Sequence, residues 1–403
     1  MPQPTPQPLP LARRCPLDPP DEYTRLRAEA PVSRLALPDG NVGWLVSGFE
    51  EVAAALVDPA VSAKRKFQTN VSPVTLTAEE FAASGFGDSF IGMDAPEHTR
   101  YRRMLTGQFT VRRLKDLAPR IEQIVDDRLD AVVEKGPPAE LVQDFTQPVP
   151  SLVICELLGM PYADSAEFQR NVDVMMRLER TKDELLGAMT AMGSYMHELV
   201  RAKRERPDDG LISGLIQDTP SDGVPLTDEE LAGIGNLLMI AGYATTANMI
   251  TMGTLALLTH RSQWEALRAR PELVENGVEE ILRYLSVAPF GLPRTAKTDT
   301  EIGGQAVKAG DPIVLSIESA NRDPRHFDAP DDFDITRERQ RHVGFAYGAH
   351  QCLGQQLARL ELGIVFGRLV ERLPGLRLSV PLEEVPMRDD MQIYGAHALP
   401  VTW

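Results

Sequence analysis

The sequence is poor in cysteine and in positive charge, and each shortage excludes a class of protein. Its three cysteines, Cys15, Cys155 and Cys352, lie far apart and form no CxxC pair, which argues against a zinc cage and against a disulfide framework. The 42 lysines and arginines are outnumbered by 58 aspartates and glutamates, so the net charge is −16. Such a surface repels nucleic acid and anionic lipid, and we expect neither as a partner.

The chain opens without an apolar run of signal-peptide length. Together with the isolated cysteines, this predicts a protein of the reducing cytoplasm. Prolines recur through residues 1–20, a spacing typical of an extended, partly disordered tail. Residues 21–403 contain no repeat and no obvious linker. We therefore predict one domain after the tail, acting as a monomer.

Helical patterns dominate the chain, so the predicted fold class is mainly α with small β-sheets (α+β). An Asp-Gly pair between apolar runs predicts a hairpin over residues 32–48. The remaining predicted elements are a short helix at 21–32, a long loop at 68–92, helices from 96 to about 215, strands at roughly 293–317, a helix after Cys352 and an extended end from about 375.

The longest predicted helix runs from 228 to 260. Thr227 and Glu230 match a capping box, in which each side chain binds the backbone N–H of the other residue. The run from Leu237 to Leu258 carries no charge, a length that would allow a membrane span. Its glycines, asparagine and threonines, with no basic cluster close by, favour instead a helix through the middle of a large core.

The segment FAYGAHQC, residues 345–352, brings a histidine and a cysteine to the end of a glycine-containing turn. Apolar residues follow at helical spacing, so Cys352 is predicted at a helix start, where unpaired backbone N–H groups favour a thiolate. Gly348 and Gly354 permit tight turns beside it. On these residues alone, a packed core thiol, a ligand and a nucleophile with His350 as base all remain open.

The pattern Phe345-x-x-Gly348-x-His350-x-Cys352-x-Gly354 resembles the haem-binding signature of the cytochrome P-450 family, in its soluble bacterial, actinobacterial form. The resemblance implies a single-domain fold with haem b, iron protoporphyrin IX, between a long central helix and the cysteine loop. It also implies that the Cys352 thiolate is the proximal iron ligand and that His350 contacts a haem propionate.

A second family mark is Glu280-x-x-Arg283, which resembles the E-x-x-R helix. In the family this pair is buried together with a second arginine, here Arg337. Buried charges are costly unless fully paired, so the resemblance implies a structural triad that holds the cysteine loop. An ordinary surface ion pair is the simpler alternative. Ala346 departs from the family, because many members have a second glycine there; we expect this small-for-small change to be tolerated.

Three more basic residues resemble the family's haem-propionate contacts. His98 and Arg102 have the i,i+4 spacing that places them on one face of a helix, and Arg294 lies in a later segment. Arginine can bind a carboxylate through two hydrogen bonds. A solvated surface charge is the alternative for each of them.

The segment AGYATT in the long helix resembles the oxygen-binding stretch of the family. The resemblance implies that Ala241 and Gly242 leave room for O2 and substrate, and that Thr245 supports proton delivery. A threonine that bonds back to its own helix is the structural alternative, and both roles are compatible. Most members have an acid where this chain has Ala244, so protons are expected to travel through ordered water, or from a carboxylate on the substrate or another helix.

No flavin or iron–sulfur motif occurs in the sequence, so electrons must come from a partner. The family implies an acidic iron–sulfur ferredoxin and its reductase, steered to a basic patch; a merely solvated basic face is the alternative. The predicted docking residues are Arg103, Arg112, Arg113 and Lys115. Family alignment also predicts substrate contacts, for which simple burial in the core is the alternative. The predicted residues are Phe86, Leu237, Ile240, Phe290, Leu292 and Ile393.

These features predict a haem-thiolate monooxygenase that uses O2 to hydroxylate or epoxidise a lipophilic small molecule, such as a macrolide, terpenoid, steroid or drug-like compound. A non-catalytic haem-binding sensor or carrier is the rival class. Within the family, a variant that uses peroxide or couples rings is a further alternative, and Ala244 favours it slightly.

Overall fold

The structure is a computed structural model, and it describes residues 5–64, 74, 76–87, 89–218 and 223–403. Helices dominate these residues and the sheets are small, as predicted. The helices are α1 (Glu22–Glu29), α2 (Phe49–Val57), α3 (Ala78–Ala83), α4 (Glu97–Thr106), α5 (Val111–Lys135), α6 (Pro148–Leu158), α7 (Ser165–Met176), α8 (Lys182–Glu205), α9 (Leu211–Gln217), α10 (Asp228–Thr259), α11 (Arg261–Ala269), α12 (Val274–Tyr284), α13 (Ile317–Ala320) and α14 (Gln355–Arg372). The strands are β1 (Val32–Ala36), β2 (Val42–Val46), β3 (Val61–Ser62), β4 (Ala139–Glu140), β5 (Leu292–Ala296), β6 (Thr300–Ile302), β7 (Gln305–Val307), β8 (Pro312–Leu315), β9 (Arg377–Leu378) and β10 (Pro400–Thr402).

These elements belong to two compact units, each with its own sheets and its own buried residues. The first unit contains Met1–Val71, Ile91–Ala95 and Thr259–Cys352. The second contains Ser72–Phe90, Pro96–Leu258 and Leu353–Trp403. A single domain over residues 21–403 stays a prediction.

The first unit is built on a five-stranded sheet with the strand order β1-β2-β8-β5-β3. β1 and β2 pair antiparallel, which confirms the predicted hairpin. β8 lies parallel to β2 and antiparallel to β5, so the strands predicted near 293–317 are present. Trp44, Phe49 and Phe327 are buried in the core beside this sheet. The sheet thereby fixes β5, which carries predicted site residues.

The described part of the tail, residues 5–20, contacts the first unit at two points. The backbone N–H and carbonyl of Gln7 bond to the backbone of β1 at 3.2 and 2.8 Å. Arg13 then forms an ion pair with Glu318 at 2.5 Å, and both side chains are buried. Residues 1–4 lie outside the described part of the chain.

The second unit is helical around α10. This helix begins with the predicted capping box: Thr227 N–H donates to Glu230 Oε2 at 2.7 Å, and Glu230 N–H donates to Thr227 Oγ1 at 3.1 Å. Most of its side chains are buried, as expected for a core helix. Among the described residues, no helix has the length and apolar character to cross a membrane.

The predicted long loop at 68–92 is partly wrong, because α3 lies within it. Thr77 caps this helix, and a capping box links it to Glu80. The Thr-x-x-Glu spacing was the local signal for this short helix. The part of the predicted loop at 68–73 lies outside the described residues.

Candidate active site

Cys352 ends an ordered turn in the first unit. A short 3-10 turn covers Gly348–His350, and the Cys352 N–H donates to the Phe345 carbonyl at 2.9 Å. The cysteine is exposed, which excludes the packed core thiol. Its predicted position at a helix start is wrong: Gly354 is the N-cap of α14, so the unpaired N–H groups of that helix begin beyond the cysteine.

Two residues of this turn have a left-handed backbone. Gly348 has a φ of 76°, and a Cβ there would lie 2.9 Å from the Leu56 carbonyl oxygen, so the position requires glycine. Ala346 has a φ of 56°, a region that an L-residue with a Cβ enters at a cost of about 1 kcal/mol. The alanine is therefore accommodated with strain, which explains why glycine suits this position.

The charged triad is connected in the first unit, where Glu280 and Arg283 are buried and Arg337 is half-buried. Arg283 donates to the two carboxylate oxygens of Glu280 at 2.7 and 2.8 Å, and Arg337 Nε lies 3.3 Å from Glu280 Oε1. The side chains of Glu280 and Arg283 are only 2% and 3% exposed, which excludes a surface pair. Arg337 also donates to the carbonyls of Asp328 and Ala329. The triad thus fixes the segment that leads to the cysteine turn.

Arg294 and two predicted substrate residues lie at the start of β5. Leu292 and Arg294 share one face of the strand, because side chains two residues apart point the same way. Both are half-buried, as is Phe290 just before the strand. Leu292 packs against the core of the sheet, and Arg294 Nη1 donates to the Pro293 carbonyl at 2.8 Å. Arg294 is therefore not a fully solvated charge, and Leu292 is partly core.

One face of α10 in the second unit is open, although most of the helix is buried. Leu237, Ile240 and Thr245 are half-buried and Ala241 is exposed. Leu237, Ala241 and Thr245 follow each other at i,i+4 spacing, which places them on one side of the helix. The residues predicted to face O2 and substrate therefore share one accessible, largely apolar surface, which we call the open face of α10.

Gly242 has a packing role that the sequence did not indicate. A Cβ at this position would meet the side chain of Ile154 on α6. Its missing side chain therefore allows close packing between two helices, and the space on the open face comes from the small side chain of Ala241.

Thr245 makes the local bond that the sequence offered as an alternative role. Its hydroxyl donates to the Ala241 carbonyl at 2.6 Å. One turn on, the Asn248 amide donates to the Ala244 carbonyl at 2.8 Å. Ala244 itself is 6% exposed, so the position where most family members have an acid is covered in this chain.

The two residues of α4 that are predicted to contact the haem propionates, His98 and Arg102, lie one turn apart in the second unit. His98 is only 3% exposed, which excludes a solvated charge at that position, and its ring lies 6.1 Å from that of Phe90. Arg102 is half-buried. Between them, Arg100 forms an ion pair with Glu230 of α10 at 2.7 Å. This ion pair ties α4 to the start of the long helix.

The predicted docking patch lies around the start of α5. Arg113 is half-buried and donates to the Gln108 side chain and to the Asp209 carbonyl, so its guanidinium is engaged within the fold. Val111 is 66% exposed, which is unusual for a large apolar side chain. The other three docking residues are exposed: Arg103, Arg112 and Lys115.

Phe86 belongs to a segment held tightly on α10. Asn236 Nδ2 donates to the Phe86 carbonyl at 3.0 Å. Gly87 approaches Gly233 so closely that an added Cβ would lie 2.7 Å from the Gly233 Cα. The half-buried Phe86 therefore borders the helix that carries the open face.

Ile393 belongs to a hairpin over residues 386–397 that also borders α10. Gly395 packs directly on the Asn248 side chain of that helix. At the tip, the Gln392 N–H donates to the Met176 carbonyl at the end of α7, at 2.7 Å. Phe86 and Ile393 therefore lie on two segments that both contact α10.

Sequence reasoning missed three charged groups of this unit. Glu361 is buried in α14, and burial raises its pKa to about 8. Arg388 is buried and pairs with Asp173 at 3.2 Å, and Arg180 is half-buried in the loop after α7. The burial of Glu361 could have been predicted, because this residue lies one turn after Leu357 in the apolar stripe of its helix.

The comparisons with known proteins agree with this architecture. The cytochrome P-450 family model matches residues 56–400. The chain is 39% identical to 20-oxo-5-O-mycaminosyltylactone 23-monooxygenase of Streptomyces fradiae, over 98% of this chain and 92% of that protein. It is 43% identical to pentalenic acid synthase of Streptomyces avermitilis, over 98% of this chain and 96% of that protein.

A solved structure, CYP105P1 in complex with filipin I, superposes with a TM-score of 0.93 at 42% identity and covers 99% of both chains. The agreement extends over nearly the whole length, in sequence and in fold. The chain therefore belongs to the cytochrome P-450 family, a class of haem-thiolate monooxygenases.

Proposed function

We propose that this chain inserts one oxygen atom from O2 into a C–H or C=C bond of a lipophilic small molecule. The open face of α10 carries the proposal, because Leu237, Ile240 and Ala241 offer apolar contacts and Thr245 offers a single hydroxyl. Mostly apolar walls with few polar groups are typical of sites for lipophilic ligands. The S. fradiae relative is named for a mycaminosyltylactone, and CYP105P1 was solved with filipin I; both support a large lipophilic substrate.

We assign the haem to the exposed thiol of Cys352. The donor set suits an iron porphyrin, which needs one thiolate ligand for the metal and basic groups for its two carboxylates. His98, Arg102, Arg294 and His350 are the basic groups we assign to the propionates. When bound, the haem supplies the iron at which O2 is activated. We assign to the ordered turn around Cys352, and to the triad that fixes the segment before it, the role of holding the thiol in place.

Proton delivery falls to Thr245 and ordered water, because Ala244 has no acid. Thr245 Oγ1 donates its proton to the Ala241 carbonyl, which leaves its lone pairs to accept from a water molecule. We expect Ala244→Glu to fold normally and to form less hydrogen peroxide per pair of electrons consumed. Thr245→Ala should form more. Equal peroxide yields from the wild type and Ala244→Glu would contradict this role.

Electron delivery is assigned to an acidic ferredoxin docked on Arg103, Arg112 and Lys115. These cations are exposed, as is Val111, on a protein whose net charge is −16, so an acidic partner would be steered to them. We expect Arg112→Glu to slow reduction by about tenfold at low salt and by much less at high salt. Lys308→Glu, an exposed cation outside this patch, is the matched control and should have little effect.

Two measurements test the proposed function. The reduced protein treated with carbon monoxide should show the Soret band of thiolate ligation, and Cys352→Ala should lack it. Turnover with ferredoxin and reductase on a panel of lipophilic compounds should then yield products heavier by one oxygen atom. A thiolate band without product from any compound would favour the sensor or carrier. No thiolate band would refute the assignment of Cys352.

A further inference from the structure

Arg13 of the tail neutralises a carboxylate that is buried in the first unit. Its Nη2 lies 2.5 Å from Glu318 Oε2, and the two side chains are 9% and 4% exposed. Among the described residues, Arg13 is the only cation within ion-pair distance of Glu318. Burial raises the pKa of this glutamate, and the charge of Arg13 acts in the opposite direction. The carboxylate therefore depends on the tail for its counterion.

The second contact point of the tail extends from Arg13 to Asp18, and it holds the arginine in its orientation. Arg13 Nη1 donates to the Asp18 carbonyl at 2.6 Å. The buried Arg322, which lies one turn after Glu318, donates from Nη2 to the Leu17 carbonyl at 3.2 Å. The tail segment is thus fixed on both sides of the ion pair, and it delivers the guanidinium to the carboxylate.

Glu318 belongs to α13, the short helix that precedes a contact of the cysteine turn. Asn321 follows this helix directly, and its N–H donates to the Ile317 carbonyl at 3.0 Å. Asn321 Oδ1 accepts a hydrogen bond from the Val343 N–H at 2.8 Å. The Asn321 carbonyl accepts from Arg283 of the triad at 3.0 Å. Because Glu318 and Asn321 are three residues apart on one helical turn, a displacement of one moves the other.

Val343 leads directly into the turn that ends at Cys352. The Ala346 N–H donates to the Val343 carbonyl at 2.8 Å, and the Cys352 N–H donates to the Phe345 carbonyl at 2.9 Å. The N–H of Val343 therefore binds the segment after α13, while its carbonyl binds the turn, and the residue is fully buried. A continuous set of contacts within the first unit thus joins the tail to the residue that carries the thiol.

We propose that Arg13 is a positioning residue for the haem thiolate, because its charge keeps α13 in place and α13 keeps the cysteine turn in place. Removing one partner of a buried ion pair is strongly destabilising. Without Arg13, the carboxylate of Glu318 would move toward water, and α13 would move with it. This shift would weaken the hydrogen bond between Asn321 and Val343. The inference rests on the proposed assignment of Cys352 to the haem.

The test is hydrogen–deuterium exchange of the haem-loaded protein, measured by mass spectrometry of its peptides, together with the carbon monoxide spectrum. In Arg13→Gln, exchange over residues 343–352 should become about tenfold faster, because the loss of a charge-assisted bond favours local opening by at least this factor. The reduced carbonyl form should show a smaller thiolate-type Soret band. Arg14→Gln is the matched control, because Arg14 pairs with Asp21 at the surface and its side chain is 87% exposed. It should match the wild type in both measurements.

A double variant separates the effect of the charge from a general effect on the fold. Arg13→Gln combined with Glu318→Gln removes both charges, and the two amides can still form hydrogen bonds. This variant should return exchange over residues 343–352 to within about twofold of the wild type and should restore the Soret band. If Arg13→Gln does not fold, Arg13→Lys carries the same test. Lysine keeps the charge but has no second nitrogen for the Asp18 carbonyl, so exchange in the same peptide should still rise, by a smaller factor.

Unchanged exchange over residues 343–352 in Arg13→Gln, or in Arg13→Lys if the first variant does not fold, would overturn the inference. So would faster exchange confined to residues 5–20, an equal rise in every peptide, or a double variant that is no better than Arg13→Gln. The proposed function fails by a different result, a wild type without the thiolate-type spectrum. The exchange measurement reports on the turn itself and does not depend on that spectrum.

Discussion

Glu361 provides a direct test of how burial controls an acid in this fold. It is 3% exposed, and its Oε1 makes no hydrogen bond within the described structure. Burial raises its pKa to about 8, from an ordinary value of 4.5. At neutral pH the side chain is therefore protonated in the native protein and ionised in the unfolded chain.

This difference determines how stability changes with pH. Between pH 4.5 and about 8 the native state holds one proton more than the unfolded state, so the free energy of unfolding falls as the pH rises. Above pH 8 the free energy of unfolding has fallen by about 5 kcal/mol in total. This is the energy that corresponds to the difference between the pKa of Glu361 in the native and in the unfolded state. Glu361→Gln cannot ionise. It should match the wild type at pH 5 and be more stable by about 3–5 kcal/mol at pH 8.5.

Urea unfolding of the haem-loaded protein, followed by far-ultraviolet circular dichroism at pH 5, 6.5 and 8.5, measures this difference. Glu371→Gln is the control, because that glutamate lies on the same helix with its side chain 64% exposed. It should leave the pH dependence unchanged. Parallel pH profiles of the wild type and Glu361→Gln would refute the reasoning, since the native carboxyl would then titrate as it does in the unfolded chain.

Three further predictions concern backbone fit and a buried thiol. Ala346→Gly should raise the free energy of unfolding by about 0.5–1 kcal/mol, because glycine relieves the left-handed strain but makes the unfolded chain more flexible; a loss of stability in urea would contradict the strain. Gly193→Ala should loosen the segment before Phe86 and speed its cleavage by protease, because an added Cβ would lie 2.5 Å from the Ser84 carbonyl oxygen. A Cβ at Gly187, on the same helix, would meet nothing within 4 Å, so Gly187→Ala is the control and should leave the rate of cleavage unchanged. Cys155, whose pKa burial raises to about 12, should resist iodoacetamide at pH 8 in the folded protein and react in urea; labelling of the folded protein there would contradict its burial.

Features with a local cause could be predicted from the sequence. The hairpin follows from the Asp-Gly turn between apolar runs, and the start of α10 follows from the reciprocal bonds of Thr227 and Glu230. The short helix after Thr77 had the same type of signal and could have been found. The family signature added the triad of Glu280, which no periodicity indicates.

Features that depend on distant residues could not be predicted in this way. The need for glycine at position 242 comes from Ile154, far away in sequence. The strain at Ala346 comes from the path of the turn, which composition does not reveal. The lack of a basic partner for Glu361 among the described residues can be recognised only after the chain has folded, because every lysine and arginine in the sequence is a potential partner until then.

The contacts of Gln7 and Arg13 also bear on self-association. β1 is one of the two edge strands of the five-stranded sheet, and an uncovered edge strand offers unpaired backbone groups to other molecules. By pairing with this strand at Gln7, the proline-rich tail covers part of the edge and opposes edge-to-edge aggregation there. A shortened variant that lacks the tail would keep the elements of the candidate active site and should aggregate more readily than the wild type.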